Sequence, residues 1–550
     1  MLTRRGFFGT AMAAGAAAAG GRAVADGGNR AFSEPARALP VDDWADVIVA
    51  GGGPAGVAAA VAAARSGAKV RLLELQGCLG GVWTAGLLTY IFDFNKSETG
   101  WEIIRRLDAY GARVVDRPGE EGMRHYKRGL DTDWVYEPEY MKAVCEDMCA
   151  EAGVRVTLQC PVTAAYRDAS GRNVETVVTE SKSGRQAWRA KTFVDCTGDG
   201  DLGARVGCGF DMGFGPEGWG QPATLNALVV VDDGDAVARG GFVSNEPAMW
   251  TRLDNPETGK PASHHIVASH KLKAELRRAG LEPSYGDPTL FRFHRNLFCF
   301  MANHEYKLRV DDAQGVSDAT LRARKEVLAL AAGLARLGGP WKGFRVAATA
   351  EQIGQRDARR LHGRYTVTRD DVTAGATFPD AVTTSYFGID IHGLDKKAND
   401  VRAAGQSFGV KFRPFQIPLR ACRAKDADNL YMAGRCISGD FYAHASYRVT
   451  GSAVAIGEAV GKAAARQAAG LAREGATSSR VRASWPRPST ACGAARNSGS
   501  LRPACACSAC LPRSWRSTGP RAWRASCRRR AGRSSRFRRP SCACIACRPR

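Results

Sequence analysis

The stretch DVIVAGGGPAGVAAAVAAARSGAKVRLLE, Asp46 to Glu74, leaves a chain few folds to choose from. An apolar β-branched run enters Gly51-x-Gly53-x-x-Gly56, an Ala-rich stretch of helical length follows, and a second apolar run ends on Glu74. That order is strand, tight turn, helix and strand, the opening of a dinucleotide-binding α/β domain. Gly51 permits the turn, Gly53 lets backbone approach a pyrophosphate, and Gly56 lets the helix pack on the sheet, with Pro54 and Ala55 opening the helix. The diphosphate rests on free N–H groups at the positive end of that helix. Glu74 follows Gly51 by 23 positions and Gly56 by 18. An interval of about 20 is expected for an acid that bonds ribose hydroxyls, and an acid there disfavours a 2′-phosphate.

At 550 residues and 44% hydrophobic the chain can bury a large core. Its formal charge of +23 points toward polyanions until its distribution is read. From Ser478 to Arg550 there are 18 Arg and no Lys, Asp or Glu, so the remaining 60 basic residues face 55 acidic ones, a net of +5. The body is nearly neutral, and no specific nucleic-acid partner is expected. The tail also holds 8 of the 17 Cys and has almost no hydrophobic periodicity. Arg, Ala, Ser, Pro, Cys and Trp are what GC-rich codons give when read out of frame, so residues 476–550 read as a disordered or frameshift-derived tail. Two other readings stand beside it. Cys505-x-Cys507-x-x-Cys510 recurs as Cys542-x-Cys544-x-x-Cys547, a spacing that suits zinc or an iron–sulfur cluster, and the Arg run suits polyanions.

Thr3-Arg4-Arg5-Gly6-Phe7-Phe8, a small-residue apolar stretch, and Ala23-Val24-Ala25 before Asp26 resemble a twin-arginine export signal. Cleavage is expected after Ala25, the export machinery is an expected partner, and the mature chain is expected outside the cytoplasm, in the periplasm. No other stretch reaches 18 uninterrupted apolar residues, so no membrane span is expected in the mature protein. The nine body cysteines have no regular spacing and no C-x-x-C pair, which argues against a disulfide framework and a thiol–disulfide reductase. Cys145 and Cys149, one helical turn apart, read as buried side chains. No metal site is expected in the body.

Beyond Glu74 the chain departs from simple β–α alternation into QGCLGGVWTAGLL. Pro138 to Ala152 reads as an amphipathic helix. VRVTLQ, PVTAAYRD, NVETVVTES and AWRAKTFVDCTGDGDL read as strands of a small antiparallel insertion returning to the main sheet. LKAELRRAGL and ATLRARKEVLALAAGLARLGG read as amphipathic packing helices. Near the end, a strand at Asn429 to Ala433 meets Gly434-Arg435, and a helix starts between Thr450 and Ser452 after a loop holding His444 and Arg448.

GGGPAG, Glu74, CLGGVWT, YEPEYMK, VDCTGDGD, GIDIH, NLYMAGRCIS and AHASYRV together resemble the bacterial FAD-dependent oxidoreductase family, from about Ala45 to Gln467. The resemblance implies a Rossmann-like FAD domain of the glutathione-reductase type, with inserted antiparallel strands and a second substrate or cap domain. FQIPLRACRAKD replaces the more aromatic segment usual before NLYMAGR. The implied organisation is a signal peptide over 1–25, a linker over 26–44, FAD domain over 45–210, cap over 211–412, the rest of the FAD domain over 413–475, and the tail. Gly80, Gly81, Trp83 and Thr84 are implied in a second loop over the cofactor, Val162, Thr197, Gly198 and Asp199 beside it, and Gly434, Arg435 and Ser452 at its flavin end.

His444 and Arg448, with Arg356 and His392 behind them, are the expected catalytic groups. A histidine can take a substrate proton while a hydride leaves for flavin N5, and an arginine can hold a carboxylate, an enolate-like oxygen or the reduced flavin's charge. The expected function is FAD-dependent oxidation or reduction of a small organic substrate, with an unidentified electron acceptor. The alternative is an inactivated flavoprotein with an aberrant C-terminus. An NAD(P)H-driven monooxygenase is disfavoured by the lack of a second G-x-G-x-x-G followed by an acid or Arg at the right interval.

Overall fold

The computed structural model describes residues 32–94, 96–114, 134–246, 252–254, 259 and 261–470. The expected signal peptide and the Arg/Cys-rich tail lie outside the described residues. In chain order the elements that matter here begin with β1 (Val47–Ala50), α1 (Pro54–Arg65), β2 (Val70–Leu73), α2 (Pro138–Glu151) and β3 (Arg155–Thr157). An insertion follows as β4 (Val162–Arg167), β5 (Val174–Ser181) and β6 (Gly184–Arg189), before β7 (Thr192–Asp195). The middle contributes β8 (Ala227–Val230), α3 (His264–Arg278), β9 (Thr289–His294), β10 (Leu297–Met301), α4 (Ala313–Leu337) and β11 (Arg345–Thr349). The chain closes with β12 (Leu430–Met432), α5 (Phe441–Tyr447) and α6 (Thr450–Ala468).

The main sheet runs β12-β7-β1-β2-β3, and every pair in it is parallel. Its central strand, VIVA, is buried at all four positions, as an unbroken apolar run must be when helices cover both faces. α1 is mostly alanine because it is pressed between that sheet and α6: a Cβ on Gly457 would come within 2.2 Å of the Ala55 carbonyl oxygen, and one on Gly461 within 2.2 Å of that of Ala59. Small residues on both helices let the backbones meet at this distance. The fold expected from the sequence is the fold observed.

The insertion forms an antiparallel sheet of β4, β5 and β6, with the short strand Val41–Asp42 on its edge. The stretch AWRAKTFVDC is split between two sheets, since Ala187 and Trp188 pair with β5 whereas Phe193 and Val194 pair with β1. A third sheet, β9-β10-β8-β11, is antiparallel and packs with α3 and α4 around Leu272, Leu276, Leu330 and Trp341. The stretch 359–391 feeds Leu361, Val367 and Ile391 into the core of the main sheet rather than into that cap core. The strand Phe415–Pro418 pairs with Ala381–Ser385, so the boundary expected at 412 falls inside one small sheet. Among the described residues, no helix is long and apolar enough to cross a membrane. The nine body cysteines are buried free thiols.

Candidate functional site

The glycine turn has the geometry its sequence requires. Gly51 sits at φ +95°, and a Cβ there would lie 2.5 Å from the Cys196 carbonyl oxygen, where β1 runs beside β7. A Cβ on Gly56 would fall 1.8 Å from the Gly51 carbonyl oxygen, so α1 leaves the sheet at a closeness that only glycine allows. Gly53 precedes α1 with no side-chain cap, and Pro54 takes the first helical position. The N–H groups of the first turn are thereby left for an outside acceptor. Glu74 ends β2 against this turn: its Oε2 accepts from Gly52 N and its Oε1 from Gln76 N at 2.6 Å. Burial raises the pKa of its carboxyl, opposed by those N–H donors.

The second loop closes over the first. Gly81 lies against Gly53, with a Cβ at Gly81 only 2.9 Å from the Gly53 Cα, and Gly80 N donates to the Gly52 carbonyl oxygen at 2.8 Å. Within this loop Thr84 is a brace, its Oγ1 donating to Leu79 O at 2.6 Å, and the Trp83 ring is fully buried in the core. These two expected contacts therefore shape the loop from inside it. Val162 is near by a different route, since Cys160 N donates to Glu74 O at 2.8 Å just before β4 begins.

On the other side of β1, Asp195 at the end of β7 organises the TGDG turn. Its Oδ1 accepts from Thr197 N and Oγ1 at 3.0 and 2.7 Å, and its Oδ2 from Gly203 N at 2.8 Å. Burial pushes this carboxyl up to about 6. Arg435, just after Gly434, pairs with Asp199 over Gly198. Ser452 lies inside the first turn of α6, where its Oγ donates to Asp93 Oδ2 at 3.3 Å and accepts from Lys96 Nζ at 3.0 Å. Among the described residues no side chain caps α6, and the buried Thr450 Oγ1 has no hydrogen-bond partner.

A cavity of about 750 Å³ opens in front of these elements. Val82, Arg435, Val449 and Thr450 line it from the nucleotide side, and Arg448, Asp390, His392, Arg356, Tyr285 and Asn226 from elsewhere. Three of the four expected catalytic groups thus meet in one chamber. Arg448 Nη2 donates to Asp390 O at 2.9 Å and Oδ2 at 3.1 Å, and His392 Nε2 lies 3.4 Å from the same Oδ2. Burial, reinforced by Arg356, lowers the His392 imidazole to about 4, so it is neutral at physiological pH. Although burial opposes its charge, His392 and Arg448 hold the Asp390 carboxyl below the usual carboxylate range.

His444 does not join them. It does not line the chamber, and its ring is fully buried with neither nitrogen hydrogen-bonded, Nδ1 lying 3.9 Å from Asp357 Oδ1. Asp357 already accepts from Arg360 Nη1 at 2.8 Å. Burial, then the charges of Arg360, Arg448 and Arg435, push the imidazole of His444 well below its ordinary value. Residues 441–447 form a helix rather than the expected loop, and that helix turns the His444 side chain into the interior.

Asp390, Tyr285 and Asn226 are among the chamber residues that motif reasoning passed over. Asp390 had a signal, the GIDIH stretch that supplied His392, whereas Tyr285 and Asn226 lie in segments without a motif. Among the described residues no cluster of three or more His, Cys, Asp or Glu side chains is arranged to hold a metal ion.

Residues 46–480 match the family described as FAD dependent oxidoreductase. Among solved structures, the chain is similar to p-nitrophenol 4-monooxygenase PnpA from Pseudomonas putida DLL-E4, at 15% identity over 60% of this chain and 70% of that one, with a TM-score of 0.35. It is also similar to a geranylgeranyl bacteriochlorophyll reductase-like protein from Thermoplasma acidophilum, at 12% identity over 78% of each chain and a TM-score of 0.36. A third is L-proline dehydrogenase from P. horikoshii, at 12% identity, 79% and 96% coverage and a TM-score of 0.34. No curated protein matches the chain.

Proposed function

The chain belongs to the FAD dependent oxidoreductase family, and from that premise we propose that it oxidises or reduces a small organic molecule in the chamber bounded by Arg448, His392 and Arg356. The supporting observation is the shared wall: Val82, Arg435 and Thr450 come from the elements that cradle the dinucleotide, and the same cavity reaches Asp390, His392 and Arg356. The uncapped start of α1, the buried Glu74 carboxylate and the Gly53–Gly81 closure fit the pyrophosphate and ribose of FAD. Arg435 and the uncapped, Thr450-bearing start of α6 fit its flavin end. Bound FAD would supply two-electron redox chemistry toward an organic substrate.

The protein's own residues then handle the proton. Neutral His392, whose buried Nδ1 makes no hydrogen bond to a described residue, is the group that would take it, while Asp390 beside Nε2 orients the ring and would stabilise the imidazolium. Arg448 fixes Asp390 and so holds the pair in place. The glutathione-reductase-type domain plan and export through the twin-arginine route belong to the same reading, the latter resting on Arg4, Arg5 and Ala23-Val24-Ala25.

The visible absorption spectrum of the purified protein is the test, with the released cofactor identified after denaturation and candidate reductants screened by bleaching. FAD and bleaching by an organic substrate are the expected results. A colourless folded protein overturns the reading. Changing Arg4 and Arg5 to Lys is expected to leave the protein in the cytoplasm, and unchanged export overturns the signal assignment.

A further inference from the structure

Arg356 differs from Arg448 and Arg435, which line the same chamber. Arg448 is matched by Asp390 and Arg435 by Asp199, but among the described residues no carboxylate lies within ion-pair distance of Arg356. Its Nη1 is anchored by donation to Pro222 O at 2.6 Å and Thr224 Oγ1 at 2.8 Å. Nε and Nη2 make no hydrogen bond to a described residue, and these two atoms form the side-on fork of a guanidinium, the edge that matches a planar carboxylate. Burial and the neighbouring Arg448 lower its pKa to about 10, which still leaves it charged at physiological pH.

Two deeply buried side chains in the same lining each have one polar atom without a hydrogen-bond partner among the described residues. Asn226 is 4% exposed and its Oδ1 accepts nothing; His392 is 6% exposed and its Nδ1 is unengaged. Buried polar atoms left unpaired cost free energy, and these two lie in the lining that Arg356 shares. The lining also carries Lys273, Arg277 and Arg402 and the carboxylates of Asp287 and Asp400, and the free fork of Arg356 is the feature that matches one planar carboxylate. The rest of the lining includes Leu88, Phe92, Ile266, Phe291, Met301 and Phe387, an apolar surface for an organic body.

Resting on the proposed redox function of this chamber, we infer that the substrate is an organic carboxylate whose carboxylate group is held bidentate by Arg356, with its apolar part against the Phe291 and Phe387 wall. Arg356 is thereby the specificity-determining residue, distinct from the His392–Asp390 pair that handles the proton.

The test titrates the FAD-loaded protein with acetate, lactate, succinate and benzoate, and with the amide of each, following perturbation of the visible flavin bands. One or more of these carboxylates are expected to perturb the spectrum, with their amides at least about tenfold weaker. Arg356→Gln is expected to weaken the carboxylate response at least tenfold while FAD content stays as in the parent. If that variant does not fold, Arg356→Lys carries the test, with a weakening of about fivefold expected from loss of the fork. A response to acid and amide alike, no response to any acid, or undiminished affinity in the folded variant overturns the inference while leaving the flavin reading intact. A colourless protein overturns both.

Discussion

Arg435 donates to Asp199 Oδ1 at 2.5 Å while lying across Gly198, whose added Cβ would come within 2.3 Å of the Arg435 Nη1. Two loops far apart in sequence, TGDG after β7 and GR after β12, are locked together where the chamber begins. Each loop is unremarkable alone, since TGDG is an ordinary turn. Their meaning lies in this contact, which puts a cation at the edge of the proposed flavin site and leaves it already neutralised.

Gly198→Ala is therefore expected to act on cofactor retention. The new methyl would meet the guanidinium, and the position has φ +79°, where a side chain is strained. Displacing Arg435 costs the Asp199 pair and reshapes the wall. Reconstitution of the apoprotein with FAD, followed by quenching of flavin fluorescence, is expected to show about tenfold weaker binding, a cost near 1.4 kcal/mol. Binding equal to the parent's would show that the contact is incidental.

The helix pair α1–α6 makes a second prediction. Gly457 meets the backbone of Ala55 so closely that a methyl would force the helices apart, even though alanine is intrinsically the better helix former. Gly457→Ala is expected to destabilise the fold by about 1–3 kcal/mol, the usual cost of overpacking a full interior. Because Ala55 belongs to the first turn of α1, FAD should also be lost at lower denaturant than in the parent. Chemical denaturation followed by both tryptophan and flavin signals checks the two effects, and a variant as stable as the parent would refute the packing argument.

These two regions also show what the sequence could and could not disclose. The main sheet was legible because β1, β2, β7 and β12 are short apolar runs beside glycine-bearing turns, and each run is buried in the observed sheet. The cap sheet was not: β8 pairs with β10 and β11, which follow only after long helical segments, so no local pattern announces the pairing. The chamber was half legible. Arg356, His392 and Arg448 sit in polar stretches that invite attention, but their common neighbour Asp390 is recognised only when residues 58 apart come together. His444 misled because a polar residue before a helix looks like a loop residue, whereas here it belongs to a short buried helix capped by Asp440.

Asp390→Asn tests the division of labour in the chamber. It removes the carboxylate that orients His392 and matches Arg448, leaving a guanidinium without its acid. Breaking a buried pair from one side costs about 3 kcal/mol, and flavin reduction by the substrate found in the bleaching screen is expected to slow about 10²-fold. In the parent, His392 titrates at about 4, so the reduction rate should be flat from pH 6 to 8 as far as this group is concerned and fall only toward pH 4. Stopped-flow bleaching across that range is the measurement. A break near 6.5 would mean that the histidine is not held neutral by its surroundings.

His444 carries the last prediction, on stability against pH. The groups facing it are Asp357, Arg360, Arg448, Arg435 and the ring of Tyr447, and its imidazole is kept well below the value of about 6.5 that it has in the unfolded chain. As pH falls through 6.5 the unfolded chain takes up a proton that the folded chain refuses, so this group lowers stability progressively below that pH and leaves it untouched above. Replacing it with Phe removes the uptake from both states and keeps an aromatic ring in the pocket. At pH 8 parent and His444→Phe are expected to agree within about 1.5 kcal/mol. From pH 6.5 to 4.5 the variant should gain on the parent by up to about 1.4 kcal/mol per pH unit, read from urea midpoints at each pH. Flavin reduction should stay within about threefold of the parent, because the ring does not reach the chamber. Parallel stability curves would show that His444 is protonated inside the fold, and a large loss of flavin reduction would return it to the proton-transfer group from which its position removes it.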